Sequence, residues 1–386
     1  MGLLGTGHSV PSTGVKMDAG AGGRKDWGSI KIKAMLLEGV FAPATTPFYA
    51  DERIYFKKLE FNVARLSLTG LAGLVVLGST GEAVALDDAE TRDVLRVAAE
   101  AAVEDKVLIA GIARESVRST VALAEVAAAH AYDAVLVRNP SYYRPQLTPA
   151  ALLHYYRSVA DRSPLPVILY SIPRFTGAEI PLEVVAELAQ HPNIIGLKES
   201  SGNVERVRDV VQATRLAPRR TVTVTPIFEA ITGRMLAAKP ATSGNFISAD
   251  GLGDGGIALA VAPPTPARKT RTREVGFQVM TGSAANLKES LDAGAGGAVL
   301  AFATCAPQAC QEIYIAWKEH DDQLALDRQR HITEASKVIG GQFGIAGLKY
   351  ACDWNGYFGG NPRSPLLPLT ADSRAEVERL LAQIRN

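Results

Sequence analysis

The sequence predicts an α/β protein built as a (β/α)8 (TIM) barrel, with a C-terminal helical extension and an insertion between strands 6 and 7. Three observations point there. From Gly39 onward, short β-branched runs alternate with longer segments whose apolar residues recur at intervals of three and four. Eight such runs occur, and most are continuously apolar, as strands covered on both faces must be. No GxGxxG turn follows the first run, which argues against the open doubly wound sheet that is the alternative.

In chain order the strands fall at 39–48, 72–78, 106–113, 134–139, 166–172, 194–198, 277–281 and 298–304. Between them, 87–102, 116–131, 149–161 and 181–190 carry the apolar stripe of helices packed on a sheet. Residues 1–34 are rich in Gly and Ser and lack a periodic apolar segment, so they read as a disordered leader ahead of a barrel over 35–304. The sixth and seventh strands stand far apart, which places an insertion at about 215–274. Its middle is dense in Gly, Pro, Ala and Ser and ends in the basic cluster Arg268, Lys269, Arg271 and Arg273. This reads as a surface excursion with a solvated tip, away from the chemistry because loops before strands lie at the opposite end from the active face. Residues 305–386 exceed a minimal barrel, with helices expected at 307–320, 322–339, 346–354 and 372–384. Such an appendix packs on the barrel or on a neighbouring subunit, so a homo-oligomer, dimer or tetramer, is expected.

Composition narrows the function. Forty-one Lys and Arg stand against 40 Asp and Glu, which offers no general attraction to nucleic acid or anionic lipid and leaves small molecules as the expected partners. No apolar run is long enough for a membrane span. Three cysteines, Cys305, Cys310 and Cys352, lack the paired spacing of a zinc ribbon or redox motif, so packed thiols in a reducing, cytoplasmic setting are expected. The six histidines never pair at metal-ligand spacing, and there is no phosphate-binding glycine loop or nucleophile elbow. No metal and no cofactor is implied.

In a barrel the catalytic groups come from the C-terminal ends of strands, so the exits of strands 2, 4, 5 and 6 hold the candidates. Lys198 closes the apolar run Ile194-Ile195-Gly196-Leu197, an odd place for a merely solvating lysine. A buried amine without a carboxylate partner keeps a neutral fraction able to attack a carbonyl. Glu199 offers the rival explanation of a strand-end ion pair, but strand alternation sends it to the opposite face. Gly78-Ser79-Thr80-Gly81 brings small residues, two hydroxyls and approachable N–H groups, which suits a substrate carboxylate and equally suits a capped tight turn. Tyr170, one strand before Lys198, supplies a hydroxyl able to move protons, or is a buried structural tyrosine. Tyr143 can extend that relay, and either Tyr142 or Tyr143 can instead anchor an interface.

At these residues the chain resembles the dihydrodipicolinate synthase and N-acetylneuraminate lyase family of class I aldolases. The matching pieces are Gly78-Ser79-Thr80-Gly81-Glu82, Tyr142-Tyr143, Tyr170-Ser171-Ile172-Pro173 with Gly177, and Gly196-Leu197-Lys198-Glu199-Ser200. Within the family it looks closest to 4-hydroxy-2-oxoglutarate aldolase, through 343–349 and 353–360. The resemblance implies Lys198 as the Schiff-base lysine, Tyr170 as general acid and base, and Tyr143 as a proton relay lent across a subunit interface. It further implies Ser79 and Thr80 at the carboxylate of a 2-oxo acid, Ser200 near the substrate hydroxyl, and Gly282 and Val299 lining the pyruvate pocket. One departure bears on substrate: where the synthase carries an arginine five residues after its tyrosine, this chain has Phe175, with Arg174 beside it. The expectation is therefore an aldolase using pyruvate and glyoxylate. The alternatives are a synthase using aspartate semialdehyde and a non-catalytic 2-oxo acid sensor.

Overall fold

The computed structural model describes residues 34–237 and 269–384. Its centre is a closed barrel of eight parallel strands: β1 (Gly39–Pro43), β2 (Gly73–Val76), β3 (Val107–Gly111), β4 (Ala134–Arg138), β5 (Val167–Ser171), β6 (Ile194–Glu199), β9 (Gln278–Thr281) and β10 (Gly297–Val299). Each pairs with its neighbour in chain order, and β10 closes on β1 through Gly39–Gly297 and Phe41–Val299. Every predicted strand is present; most end earlier than expected, β6 runs one residue further, to Glu199, and Ala301–Thr304, expected as strand, is a 3₁₀ turn.

Alternation sorts each strand's side chains into two cores. Phe41, Val75, Ile109, Leu136, Ile168, Tyr170, Met280 and Val299 fill the barrel, with Met35 and Leu37 among them. Leu74, Val76, Leu108, Val135, Leu169 and Leu197 face the helix layer. Burying each such aliphatic side chain contributes roughly 1.5–3 kcal/mol. The interior is tight enough to dictate composition at Gly73, where a Cβ would stand 2.8 Å from the Phe41 ring and 2.2 Å from the Val107 carbonyl oxygen. Helix starts follow their caps. Asp87 and Glu90 form a reciprocal capping box for Asp88–Ala101, and Thr148 accepts from Ala151 ahead of Pro149–Ala160.

The described part of the insertion carries regular structure on both sides of the Gly- and Pro-rich middle. β7 (Arg220–Val224) and β8 (Arg271–Val275) form an antiparallel ribbon whose Val222, Val224 and Val275 pack on Leu36. Arg220 donates to the carbonyls of His191, Pro192 and Ile194, at the start of β6. Thr232 donates to Glu104 O, and the Gly233 N–H donates to Asp133 at the start of β4. This part therefore braces the N-terminal end of the barrel, opposite the strand exits. The basic cluster is not a solvated tip within the described residues: Arg271 and Arg273 lie on β8, Arg273 pairs with Glu38 at 2.7 Å, and Arg271 stacks on Phe228. Alternating Thr and Val over 221–225 was the overlooked strand signal, hidden beside the Gly- and Pro-rich stretch. Most of that stretch, like the leader, lies outside the described residues.

Helices Pro307–Lys318, Asp322–Ser336, Gly344–Trp354 and Ala371–Leu381 make up the C-terminal region. The second runs on into a wide helical turn, Lys337–Gln342. Among the described residues, no helix is long and apolar enough to cross a membrane. Cys305, Cys310 and Cys352 are free and buried, and burial pushes all three thiols up, as for packed, unreactive cysteines.

Candidate active site

Lys198 sits at the C-terminal end of β6 with 6% of its surface exposed. Its register partners, Tyr170 on β5 and Met280 on β9, both belong to the barrel-filling core, so its side chain points inward. The Nζ lies 4.1 Å from the centre of the Tyr170 ring. No ion pair engages Lys198 among the described residues. Glu199 faces the other way: its Oε1 accepts from the Ser201 N–H at 2.7 Å, and Arg206 Nε stands 3.8 Å from Oε2. Burial pushes the Glu199 carboxyl up, against the opposing pull of Ser201 and Arg206.

The Tyr170 hydroxyl lies 3.4 Å from Ser79 Oγ, so the exits of β2, β5 and β6 meet. Ser79 opens a short 3₁₀ turn, Ser79–Gly81, with Thr80 buried and Gly81 held by the Thr46 hydroxyl at 2.7 Å. Glu82 follows in the left-handed region at φ 54°, 3% exposed, and forms a 2.5 Å ion pair with the fully buried Lys349. The Arg363 N–H donates to Glu82 as well, at 2.8 Å, and Lys349 donates to Asn361 O. Burial lowers the Lys349 ammonium while Glu82 opposes that shift. The turn is thus clamped by the C-terminal region, a connection the sequence reading missed.

Ser200 and Gly282 meet on the same rim. A Cβ at Gly282 would stand 1.9 Å from Ser200 Oγ, and the Gly282 N–H donates to Glu199 O at 2.6 Å. Among the described residues, buried Ser200 Oγ and Thr45 Oγ1 have no hydrogen-bond partner. Val299 is 1% exposed in the barrel-filling core. Tyr143 is the predicted residue this chain does not bring in. It is 67% exposed and packs edge-on against Tyr142 at 5.1 Å. Tyr142, not Tyr143, is the tyrosine on the cavity wall.

That cavity, about 610 Å³, opens over the exits of β4 and β5. Val84, Tyr142 and Phe175 give it apolar walls, and Arg138, Arg144, Arg174 and Glu115 give it charge. Glu115 accepts from the Ser141 and Tyr142 N–H groups and pairs with Arg138 at 3.1 Å. Arg174 donates to Gly341 O at 2.7 Å and lies 5.7 Å from the Phe175 ring. Arg138 was also missed, although it ends the apolar run Ala134-Val135-Leu136-Val137 just as Lys198 ends its own.

Fold and centre together define a closed (β/α)8 protein with an inward lysine–tyrosine pair at its strand exits. The chain belongs to the dihydrodipicolinate synthetase family, whose profile matches residues 36–218 and 266–384 and breaks across the insertion. A 4-hydroxy-tetrahydrodipicolinate synthase of Natronomonas pharaonis is 38% identical over 177 residues, 46% of this chain and 59% of that protein. A probable mitochondrial 4-hydroxy-2-oxoglutarate aldolase of Emericella nidulans is 38% identical over 182 residues, again 46% and 59%. The aligned stretch thus spans about three fifths of the length of these curated relatives. Among solved structures, YagE of E. coli K12, a family member in complex with pyruvate, superposes with a TM-score of 0.71 over 90% of this chain and 99% of its own at 24% identity. That last likeness speaks to the fold.

Proposed function

We propose that this protein is a class I aldolase, a carbon–carbon lyase that joins Lys198 to the ketone of pyruvate or a related 2-oxo acid. The observation that carries this is the buried, inward Lys198 Nζ against the Tyr170 ring, with no carboxylate pairing it among the described residues. The neutral amine adds to the ketone carbon, and the carbinolamine loses water to give an iminium. In the cleavage direction a base removes the proton of the C4 hydroxyl, and the C3–C4 bond breaks. Its electron pair flows into the iminium, leaving an enamine and an aldehyde. Protonation of the enamine at C3 and hydrolysis then return the lysine and release pyruvate. Tyr170 moves these protons, and Ser79 lies close enough to pass them on. Thr80 and the turn N–H groups suit the carboxylate, while Ser200, Gly282 and Val299 close the pocket.

Glyoxylate is the preferred aldehyde in this reading. The synthase reading, with aspartate semialdehyde, has support from the Natronomonas relative, but Phe175 stands where the family resemblance calls for arginine. The exposed Tyr142 and Tyr143 pair supports a homo-oligomer in which a second subunit covers them and supplies the relay assigned to Tyr143. Buried free cysteines support a reducing compartment such as the cytoplasm. Incubation with pyruvate and borohydride, followed by mass mapping, tests the chemistry. An adduct on Lys198 is expected, and one on another residue, or none, overturns the assignment.

A further inference from the structure

The strand that leads to Ser79 breaks its own alternation just before the turn. On β2, Val75 fills the barrel while Leu74 and Val76 face the helix layer, so Leu77 is due to point into the barrel mouth. It does the opposite. Leu77 takes a left-handed backbone, φ 61°, and its side chain joins Val76 in the helix-layer core, 3% exposed. The ladder to β3 ends one residue earlier, at Val76 and Ala110. A left-handed corner on a bulky residue is rare and strained, and it persists only where the surroundings hold it. Gly78, next in the chain, is the residue that tolerates such a corner freely, yet its own φ is −72°.

Burial of the Leu77 side chain opposes its return to the mouth, and β3 supplies the room for the corner. Val107 and Ile109 fill the barrel, so Gly111 faces it too. A Cβ at Gly111 would stand 2.1 Å from the Leu77 carbonyl oxygen, 2.6 Å from its carbon and 3.1 Å from Gly78 N. The Leu77–Gly78 peptide therefore drops into the space that a side chain at 111 would take. Above Val75 and Ile109, two adjacent strands thus put no side chain into the barrel: Leu77 has left that layer and Gly111 has none to offer. The turn that follows fills the rim instead. Ser79 Oγ lies 3.4 Å from the Tyr170 hydroxyl, and Thr80 is buried beside it in the chain. The far end of the turn is pinned at Glu82, also left-handed at φ 54°, by its ion pair with Lys349.

We propose that Leu77 and Gly111 are positioning residues: the corner at Leu77 clears an aliphatic side chain from the barrel mouth and turns Ser79 and Thr80 toward the 2-oxo acid. This rests on the Schiff-base reading above and names the device that keeps its pocket open. An extended residue at 77 restores the alternation, so its side chain enters the mouth and the Ser79 turn rotates away. Pyruvate then binds only the fraction of molecules that hold the corner. Its apparent affinity falls by that fraction, while the limiting rate on Lys198 does not.

The test separates conformation from packing. Leu77→Ile keeps size and hydrophobicity but branches at Cβ, which makes the left-handed corner far costlier, whereas Leu77→Gly adopts the corner freely and gives up the packed side chain. In borohydride trapping, Leu77→Ile is expected to raise the half-saturating pyruvate concentration roughly 10-fold at an unchanged limiting rate. Gly111→Ala, which pushes on the Leu77 carbonyl, is expected to act in the same direction. Leu77→Gly should melt at a lower temperature than the parent yet stay within about twofold of its half-saturating pyruvate. If Leu77 only packs, the order reverses: Leu77→Gly is the worse variant on both readouts, Leu77→Ile stays close to the parent, and the inference is overturned. Should Leu77→Ile and Gly111→Ala not fold, Leu77→Gly decides, since pyruvate affinity kept at a lower melting temperature supports the corner and affinity lost overturns it. An adduct on Lys198 with equal half-saturation in the parent and Leu77→Ile sinks the corner and leaves the Schiff-base reading standing. Without an adduct the Schiff-base reading falls, and pyruvate binding by calorimetry then judges the corner alone. It must be weakened in Leu77→Ile and kept in Leu77→Gly; any other pattern, no binding included, overturns the proposal.

Discussion

Lys198 and Glu199 are chain neighbours, and the strand sends one into the barrel and the other into the helix layer. Replacing Lys198 by Met keeps the stem and removes the nucleophile, so borohydride trapping of pyruvate should vanish while the melting temperature changes little. Tyr170→Phe keeps the ring beside the Lys198 nitrogen and removes the proton carrier; kcat for cleavage should fall by about 10²–10⁴-fold, read by coupled assay of pyruvate release. Glu199 gives a pH signature. Burial raises its carboxyl in the fold, so the native state binds that proton more tightly than the unfolded chain. Its contribution to stability is complete below about pH 4 and is lost as pH rises through the raised value. Glu199→Gln mimics the protonated form, and its denaturation midpoint should fall less than the parent's between pH 4 and pH 8. A parallel pair of curves would show that the carboxyl is not strained by burial. At this scale Lys198, Tyr170 and Ser79 were legible because a strand exit fixes both position and facing. Tyr143 is different: the role the resemblance implies for it is lent across a subunit interface, and in the single chain it stays exposed beside Tyr142.

Between elements, the clearest coupling is the buried pair of Glu82 and Lys349, which ties the turn after β2 to the helix Gly344–Trp354. Both groups are out of water, at 3% and 0% exposure, so removing one leaves the other charged and unpaired. Lys349→Met should cost about 3–5 kcal/mol in denaturant unfolding, and the double variant Lys349→Met with Glu82→Gln should recover a large part of it. The same variants should raise the pyruvate concentration needed for half-maximal trapping, because Glu82 holds the left-handed corner that follows Ser79 and Thr80. Both ends of this contact were visible as segments: the Ser-Thr-Gly-Glu motif and the helical pattern at 346–354. Their meeting was not, since pairing between charges so far apart in the chain depends on where the C-terminal region folds back. The insertion posed the reverse difficulty. Its ribbon pairs residues on either side of a long Gly- and Pro-rich stretch, and local periodicity is weakest where the loop composition dominates.

At the scale of the whole molecule, the barrel separates chemistry from bracing. The exits of β2, β4, β5 and β6 hold the polar and reactive groups, whereas the described part of the insertion meets the entrances of β3, β4 and β6. Arg234 shows the division most plainly. Its guanidinium, 12% exposed, lies 3.6 Å from Asp133 and donates to the carbonyls of Ala131 and Lys106, all near the start of β3 and β4. Burial lowers this guanidinium against the pull of Asp133, so it is already held at some cost and its bonds matter. Truncation in Arg234→Ala removes charge-assisted hydrogen bonds worth roughly 1.5–3 kcal/mol together and exposes the carbonyls they covered. The midpoint of urea unfolding should drop accordingly, while the rate and extent of pyruvate trapping on Lys198 stay at the parent's level. A variant that kept its stability but lost trapping would mean that the two ends communicate through the packed interior, where Leu37, Phe41 and Ile168 fill the space between them. The tightness of that interior is the reason to expect otherwise. A loss of bonds at one end relaxes into solvent beside the insertion, and the strands that carry Tyr170 and Lys198 remain fixed along their whole length by their neighbours in the closed sheet.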